Sequence, residues 1–398
     1  MTEYKYLIVG GGMTADAAVR GIRQVDANGS IGLIGAEPDP PYNRPPLSKG
    51  LWRGKPLERI WRGTQDLGAE LHLGRQALAL DPGQKQVTDD QGTVYGFDKL
   101  LLATGGTPRR LAFADDEVIY FRSLADYRRL RALAERGGQV AVIGGGFIGS
   151  EIAAALAMNG QPVTMIFPES GIGGRVFPAD LSRFLSDFYR EKGVEVLAET
   201  SLTGLERRGE RLALKIEGLK GADRRELVVD GGVAGIGIQP NLELARAAGL
   251  ETGNGILVDE GLRAGPPDIY AAGDVAAFYN PALGTRMRVE HEDNANTMGN
   301  MAGRAMAGEA VAYRHLPYFY SDLFDLGYEA VGELDARLET FADWQEPYRK
   351  GVVYYLAEGR VRGVLLWDVW KQVEAARRLI AEPGPFHPAA DLKGRLGG

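Results

Sequence analysis

Two kinds of apolar spacing alternate along the chain. Short uninterrupted runs, Leu7-Ile8-Val9 and Ile31 to Ile34, then Val140 to Ile143 and Val163 to Phe167, have the length and composition of strands buried on both faces. Between the members of each pair, apolar residues recur at helical spacing: Ala17, Ala18, Val19 and Ile22 in the first, Ile152, Ala155 and Leu156 in the second. The chain therefore predicts strand, turn, helix and strand twice over. A helix over Asp126 to Ala134 precedes the second copy. The polar stretch Arg207 to Asp230, with Gly209, Gly218 and Gly221, reads as a hairpin.

The turns carry the candidate chemistry. In Gly10-Gly11-Gly12-Met13-Thr14-Ala15, Gly10 allows a sharp turn, Gly12 lets backbone approach a pyrophosphate, and the small Ala15 lets helix and strand pack closely. Amides at the helix start and the helix dipole favour the negative charge. Glu37, just past the second strand, stands where an acid bonds ribose hydroxyls. The second copy, Gly144-Gly145-Gly146-Phe147-Ile148-Gly149, has its acid at Glu169. Two complete copies imply two dinucleotides. Glu169 favours NAD, whose 2′-hydroxyl it can bond, over NADP, whose 2′-phosphate it repels; Arg175 nearby softens that choice. FAD is the physically sensible companion, because a flavin takes two electrons from a nicotinamide and releases them singly.

Composition narrows the chemistry. With 398 residues, 44% hydrophobic and 25% charged, the chain is long enough for two or three domains and too apolar for wholesale disorder. The net charge of −7 argues against a nucleic-acid-binding face. There is no cysteine, which excludes disulfides, zinc–thiolate and iron–sulfur sites and any redox route through a dithiol. No run approaches the about 18 apolar residues needed to cross a bilayer. Met1 to Lys5 leads straight into an apolar strand, so a cytoplasmic protein without a membrane span is the expectation.

Two cradles, Ala103-Thr104-Gly105-Gly106 after one apolar strand and Ala272-Gly273-Asp274 after another together resemble the two-dinucleotide flavoprotein family. Pro41-Tyr42-Asn43-Arg44-Pro45-Pro46-Leu47-Ser48-Lys49 resembles the matching segment of ferredoxin reductases and apoptosis-inducing factor-like oxidoreductases. Phe167-Pro168-Glu169, Val289-Glu290-His291, Gly363-Val364-Leu365-Leu366-Trp367 and the stretch Ala103 to Arg109 are similar to the second branch. The resemblance runs from about Tyr6 to about Ile380. It implies an α/β fold of two Rossmann-like dinucleotide-binding domains plus a C-terminal α+β domain. FAD would be held by residues 1–113 and 238–315, NAD by an inserted domain at 114–237, with the α+β domain at 316–398. Two features depart from the apoptosis-inducing branch: Leu338 to Lys350 is too short to hold its regulatory insertion, and no mitochondrial presequence is visible.

The same resemblance implies site residues. Arg44 would lie near the FAD pyrophosphate, Gln76 and Ala77 beside the adenine, Thr104 and Gly105 in a turn over FAD, and Asp274 at a ribityl hydroxyl. Asp274 can also cap a helix ahead of Val275. Arg109 is carried over as a cofactor contact, Glu290 and His291 as the entry to a helix facing the flavin, and Gly237 at the nicotinamide; Phe147 stacks or gates there or belongs to the core, and His291 contacts the nicotinamide or its carboxamide or belongs to the core. Lys49 and Glu151, each a solvated charge when taken alone, become an ion pair near the flavin N5. Trp367 would lie beside the isoalloxazine, with Trp370 as a neighbour. With four histidines and no Asp/His cluster, no metal is expected. The implied activity is transfer of a hydride from NADH to FAD and of electrons onward to quinone, ferredoxin or another acceptor. A ferredoxin or rubredoxin reductase, and an NADH-sensing flavoprotein whose redox state controls homodimer formation, are the alternatives.

Overall fold

The computed structural model describes residues 2–113, 117–221 and 223–396. Chain contacts gather into two units. The first comprises Met1–Asn43, Glu58–Thr107 and Gln239–Phe319; the second comprises Arg44–Leu57, Pro108–Ile238 and Tyr320–Gly398. The sequence leads instead to three domains, with Arg44–Leu57 on the FAD side. Residues 114–116, where the expected NAD domain begins, and residue 222, inside the expected hairpin, lie outside the described residues.

In the first unit, Thr2–Val9 lies between two parallel neighbours, Ile31–Gly35 and Val94–Leu102. Leu7 is in register with Gly32 on one side and Leu100 on the other. Ala69–Leu73 extends the sheet beyond Ile31–Gly35, and Ile269–Ala271 pairs parallel with Val94–Leu102. Leu7, Ile8, Leu33, Leu100 and Leu101 are wholly buried, as an uninterrupted apolar run requires when helices or loops cover both faces. Helices Met13–Val25 and Glu292–Met306 pack against each other closely enough that a Cβ on Gly303 would lie 2.1 Å from the Ala18 carbonyl oxygen.

The second unit repeats the scheme. Val140–Ile143 is flanked by Val163–Ile166 and Gly231–Ala234, with Glu195–Leu197 and Ile119–Tyr120 outermost, all parallel. The predicted helix over Asp126 to Ala134 is present as Leu124–Arg136 and opens on a reciprocal cap between Ser123 and Asp126. The polar stretch is part of a three-stranded antiparallel sheet, Thr200–Arg208, Arg211–Gly218 and Arg225–Val229. It begins earlier than expected, at Thr200–Arg208, a strand that turns only Leu202 and Leu205 toward the core. Towards the C-terminus a five-stranded antiparallel sheet carries the helix Val373–Ala381. Among the described residues no helix is long and apolar enough to cross a membrane.

Candidate functional site

Each glycine cradle has the backbone that its role demands. Gly10 has φ +132°, and a Cβ there would sit 2.1 Å from the Ala103 carbonyl oxygen; Gly144 has φ +111° and would meet the Gly235 carbonyl at 2.5 Å. No other residue type fits either position. Gly12 and Gly146 cap their helices, and a Cβ at either meets nothing within 4 Å. Open space thus lies in front of two helix starts, where helix polarity favours an anionic group. Ala15 is buried, while Gly149 in the second copy approaches so closely that a Cβ would lie 2.0 Å from the Gly144 carbonyl oxygen.

Around the first cradle, the Glu37 carboxylate accepts a hydrogen bond from the Tyr42 hydroxyl at 2.6 Å. Gln76 is exposed and Ala77 half-buried at the start of Ala77–Asp81; the Gln76 amide donates to the Asp90 carboxylate. Thr104 and Gly105 are zipped to Asn241. The Thr104 hydroxyl donates to the Asn241 carbonyl, the Asn241 side chain donates to the Thr104 carbonyl, and the Asn241 amide donates to the Gly105 carbonyl. Asp274 lies within the single turn Gly273–Val275, whose cap is Ala272, so the alternative of Asp274 as a helix cap is corrected. Arg288 holds this region together, pairing with Glu290 at 2.8 Å and donating to the Asp274 carbonyl at 3.0 Å. His291 caps the helix Glu292–Met306, and its ring stacks on Phe319 with centroids 4.5 Å apart. Burial pushes the imidazole down to about 4, against the opposing charges of Asp274 and Asp293.

Around the second cradle, Phe147 opens the helix Phe147–Met158, and Ile148 is exposed. Glu169 and Arg175 form an ion pair at 2.6 Å, with the carboxylate mostly buried and the guanidinium mostly exposed. The Gly237 carbonyl, at φ +90°, accepts the Arg109 amide, and Arg109 Nε donates to the Ile238 carbonyl. Arg44 donates through Nη1 to the Arg122 carbonyl at 2.9 Å.

Lys49 and Glu151 meet. The lysine leaves the proline-rich turn Pro45–Leu47, the glutamate projects one turn into the second cradle helix, and Nζ lies 2.7 Å from Oε1. Side-chain exposure is 12% for Lys49 and 4% for Glu151, so this is a largely desolvated pair. Burial of such a pair is tolerated only when the remaining lone pairs are satisfied. Ser48 Oγ donates to Oε2 and Ser321 Oγ to Oε1, both at 2.6 Å. The Lys49 ammonium also stands 5.1 Å from the centre of the Tyr320 ring. Burial first, and the Glu151 charge second, push the hydroxyls of Tyr189 and Tyr328 well above the ordinary tyrosine value. The arrangement presents a fixed cation in a dry environment.

Sequence reasoning missed Ser48, Ser321, Tyr320 and Asn241. Ser48 adjoins Lys49 in the motif and could have been found by asking what satisfies a buried carboxylate; the others carry no local signal. Trp367 requires a correction. It is 0% exposed, stacked on Tyr328 at 5.6 Å with an 8° interplanar angle, met edge-on by Phe177, and its Nε1 donates to the Tyr348 carbonyl. Tyr328, Phe177 and the Tyr348 carbonyl enclose the ring and its polar edge, so the expected place beside the isoalloxazine gives way to a core position. Trp370, three residues on, is exposed.

Two nucleotide cradles of this kind in one chain define a two-dinucleotide oxidoreductase. Residues 4–299 match the family described as pyridine nucleotide-disulphide oxidoreductase, and the chain belongs to that family. Residues 302–347 and 341–382 match the C-terminal domain described as apoptosis-inducing factor, mitochondrion-associated. Apoptosis-inducing factor 1, mitochondrial, of Dictyostelium discoideum is 34% identical over 422 residues, covering 95% of this chain and 78% of its own length. The ferredoxin–NAD(+) reductase component of the anthranilate 1,2-dioxygenase system of Burkholderia cepacia is 35% identical over 392 residues, covering 96% and 95%. Among solved structures, the covalent putidaredoxin reductase–putidaredoxin complex superposes with a TM-score of 0.89 at 28% identity, covering 98% of this chain and 95% of that one. The protein is accordingly an FAD-dependent NAD(P)H oxidoreductase. Despite the family's name it has no cysteine with which to form a redox disulfide.

Proposed function

We propose that the chain oxidises NADH at FAD and hands the electrons to a ferredoxin-type acceptor without a thiol intermediary. The observation that carries the reading is the desolvated Lys49–Glu151 pair: a cation held at a buried position is suited to stabilising negative charge gained by a flavin on reduction. When bound, the nicotinamide supplies a hydride and the flavin the capacity to take two electrons and release them singly.

The chain's own residues bind and orient. Gly10, Gly12 and the helix from Met13 receive the FAD pyrophosphate, and Ala15 lets that helix sit close to the sheet. Glu37 accepts from the adenine ribose, with Gln76 and Ala77 beside the adenine. Thr104 and Gly105 close over FAD, and Asp274, Glu290 and His291 line its ring side. Gly144, Gly146, Phe147, Ile148 and Gly149 receive NADH, Glu169 selects its free ribose hydroxyl, and Arg109 buttresses Gly237 on the nicotinamide side. Glu151, fixed by Ser48 and Ser321, keeps the Lys49 ammonium in place. The near-complete coverage of the Burkholderia cepacia ferredoxin–NAD(+) reductase component supports the choice of acceptor.

An anaerobic stopped-flow experiment tests this. The flavin should be reduced by NADH at least about tenfold faster than by NADPH, a difference of about 1.4 kcal/mol, and then reoxidised faster by a [2Fe–2S] ferredoxin than by a quinone or oxygen. Preference for NADPH would remove the role of Glu169. A reduced flavin that ferredoxin leaves unoxidised, accompanied by dimer formation, would favour the NADH-sensing reading.

A further inference from the structure

One guanidinium joins three segments of the first unit. Arg62 donates through Nε to Asp16 Oδ2 at 2.6 Å, through Nη1 to Asn43 Oδ1 at 2.6 Å, and through Nη2 to Asn296 Oδ1 at 2.8 Å. Each recipient adjoins an expected FAD contact. Asp16 lies four residues beyond Gly12 on the first cradle helix, Asn43 immediately precedes Arg44, and Asn296 sits in the opening turns of the helix that His291 caps.

Asp16 is unusual for its place. It is 0% exposed on a helix whose other buried residues are Met13, Thr14, Ala15, Ala17, Ala18, Val19, Gly21 and Ile22. An apolar residue there would incur no desolvation, whereas a buried carboxylate is tolerated only when paired and fully hydrogen-bonded. Burial by itself would raise this carboxyl, yet hydrogen bonds from Arg20, Arg62 and Thr64 hold it below its ordinary value. Arg20 donates to both oxygens, and Thr64 Oγ1 donates to Oδ1 at 2.7 Å. The Arg62 backbone is tied as well: its amide donates to the Pro41 carbonyl, while its own carbonyl accepts from Arg20. Apolar helix packing fixes spacing but is non-directional. The planar fork of an arginine adds direction, because its donors leave at fixed angles.

We infer that Arg62, with Asp16 as its buried counter-charge, is a positioning residue for FAD, setting the pyrophosphate cradle, the Asn43 segment and the helix after His291 in mutual register. The inference rests on the reading that Gly12 and the entry to that helix are FAD contacts. Its consequence is that this fork governs flavin retention more than it governs the stability of the empty fold.

The decisive variant is Arg62→Lys, which keeps a cation for Asp16 but, as a point charge, cannot serve Asn43 and Asn296 together. The double variant Asn43→Ala, Asn296→Ala removes the two outer arms and leaves the ion pair. FAD affinity is read by flavin fluorescence on the full-length apoprotein, and melting temperature is read with and without FAD. Both variants should weaken FAD by about tenfold, equivalent to about 1.4 kcal/mol, and narrow the gap between the two melting temperatures while moving the FAD-free value little. Equal lowering of both melting temperatures with unchanged FAD affinity would overturn the inference. Gly12→Glu, which puts a carboxylate into the open space at the cradle, separates the two levels. Unchanged FAD affinity in Gly12→Glu would remove the cradle reading and this inference with it; loss there but not in Arg62→Lys would overturn the role of Arg62 alone.

Discussion

Replacing Lys49 by methionine probes stability and chemistry together. The substitution keeps the length of the side chain and removes the charge, leaving the Glu151 carboxylate 4% exposed with two serine donors and no cation. Breaking one side of a buried pair costs about 3–5 kcal/mol, because the survivor stays desolvated. The two serine hydroxyls and the 12% exposure of Lys49 place the expectation at the lower end, about 3 kcal/mol. Glu151→Gln alone leaves an ammonium facing a neutral amide and should destabilise as well. In the double variant no charge is left uncompensated, so its cost should fall below the sum of the singles by about 2 kcal/mol. Urea denaturation of the FAD-loaded protein reads the three stabilities. The same samples, mixed anaerobically with NADH, report flavin reduction, which should slow by about 100-fold in Lys49→Met, the scale of losing one preorganised electrostatic partner. Additive single costs together with reduction at the wild-type rate would refute the argument that this pair is a desolvated, chemically used charge.

Three further expectations follow from other parts of the chain. Because the His291 imidazole titrates near 4 in the folded protein and near 6.5 when unfolded, its contribution is fully present above about pH 6.5 and is lost as pH falls towards 4; His291→Gln should remove about 2–3 kcal/mol of that acid sensitivity, and parallel stability curves for the two proteins between pH 7 and pH 4 would contradict it. Glu169→Ala should lower the ratio of NADH to NADPH affinity by about tenfold or more, and Arg175→Ala should raise it, as expected for charge-assisted bonds at the ribose; coenzyme titrations that leave both ratios unmoved would exclude the Glu169–Arg175 pair from selection. Trp367→Ala should cost about 3–5 kcal/mol through the cavity it leaves without altering the dissociation constant of FAD, and a large loss of FAD affinity in a protein of undiminished stability would restore the aromatic to the flavin.

Much of this molecule is legible in its amino-acid order, for a local reason. A strand, a glycine turn and a helix are consecutive, and the turn geometry depends on one residue's backbone freedom, so Gly10 and Gly144 announce their left-handed conformations without reference to anything distant. The apolar runs state their double-sided burial in the same way. What remained hidden involves partners far apart in the chain: Ser48 and Glu151 are 103 residues apart, Ser321 and Glu151 170, Arg62 and Asn296 234. Residue order says that a buried charge needs a partner, but the path of the strands and helices decides which one arrives. Trp367 shows the same division in reverse: the resemblance set it beside the flavin, and only the packing of Tyr328 and Phe177 against its ring gave it a place in the core. Local geometry is set by torsion angles one residue at a time, whereas a site is closed by contacts whose members meet only after the whole chain has folded.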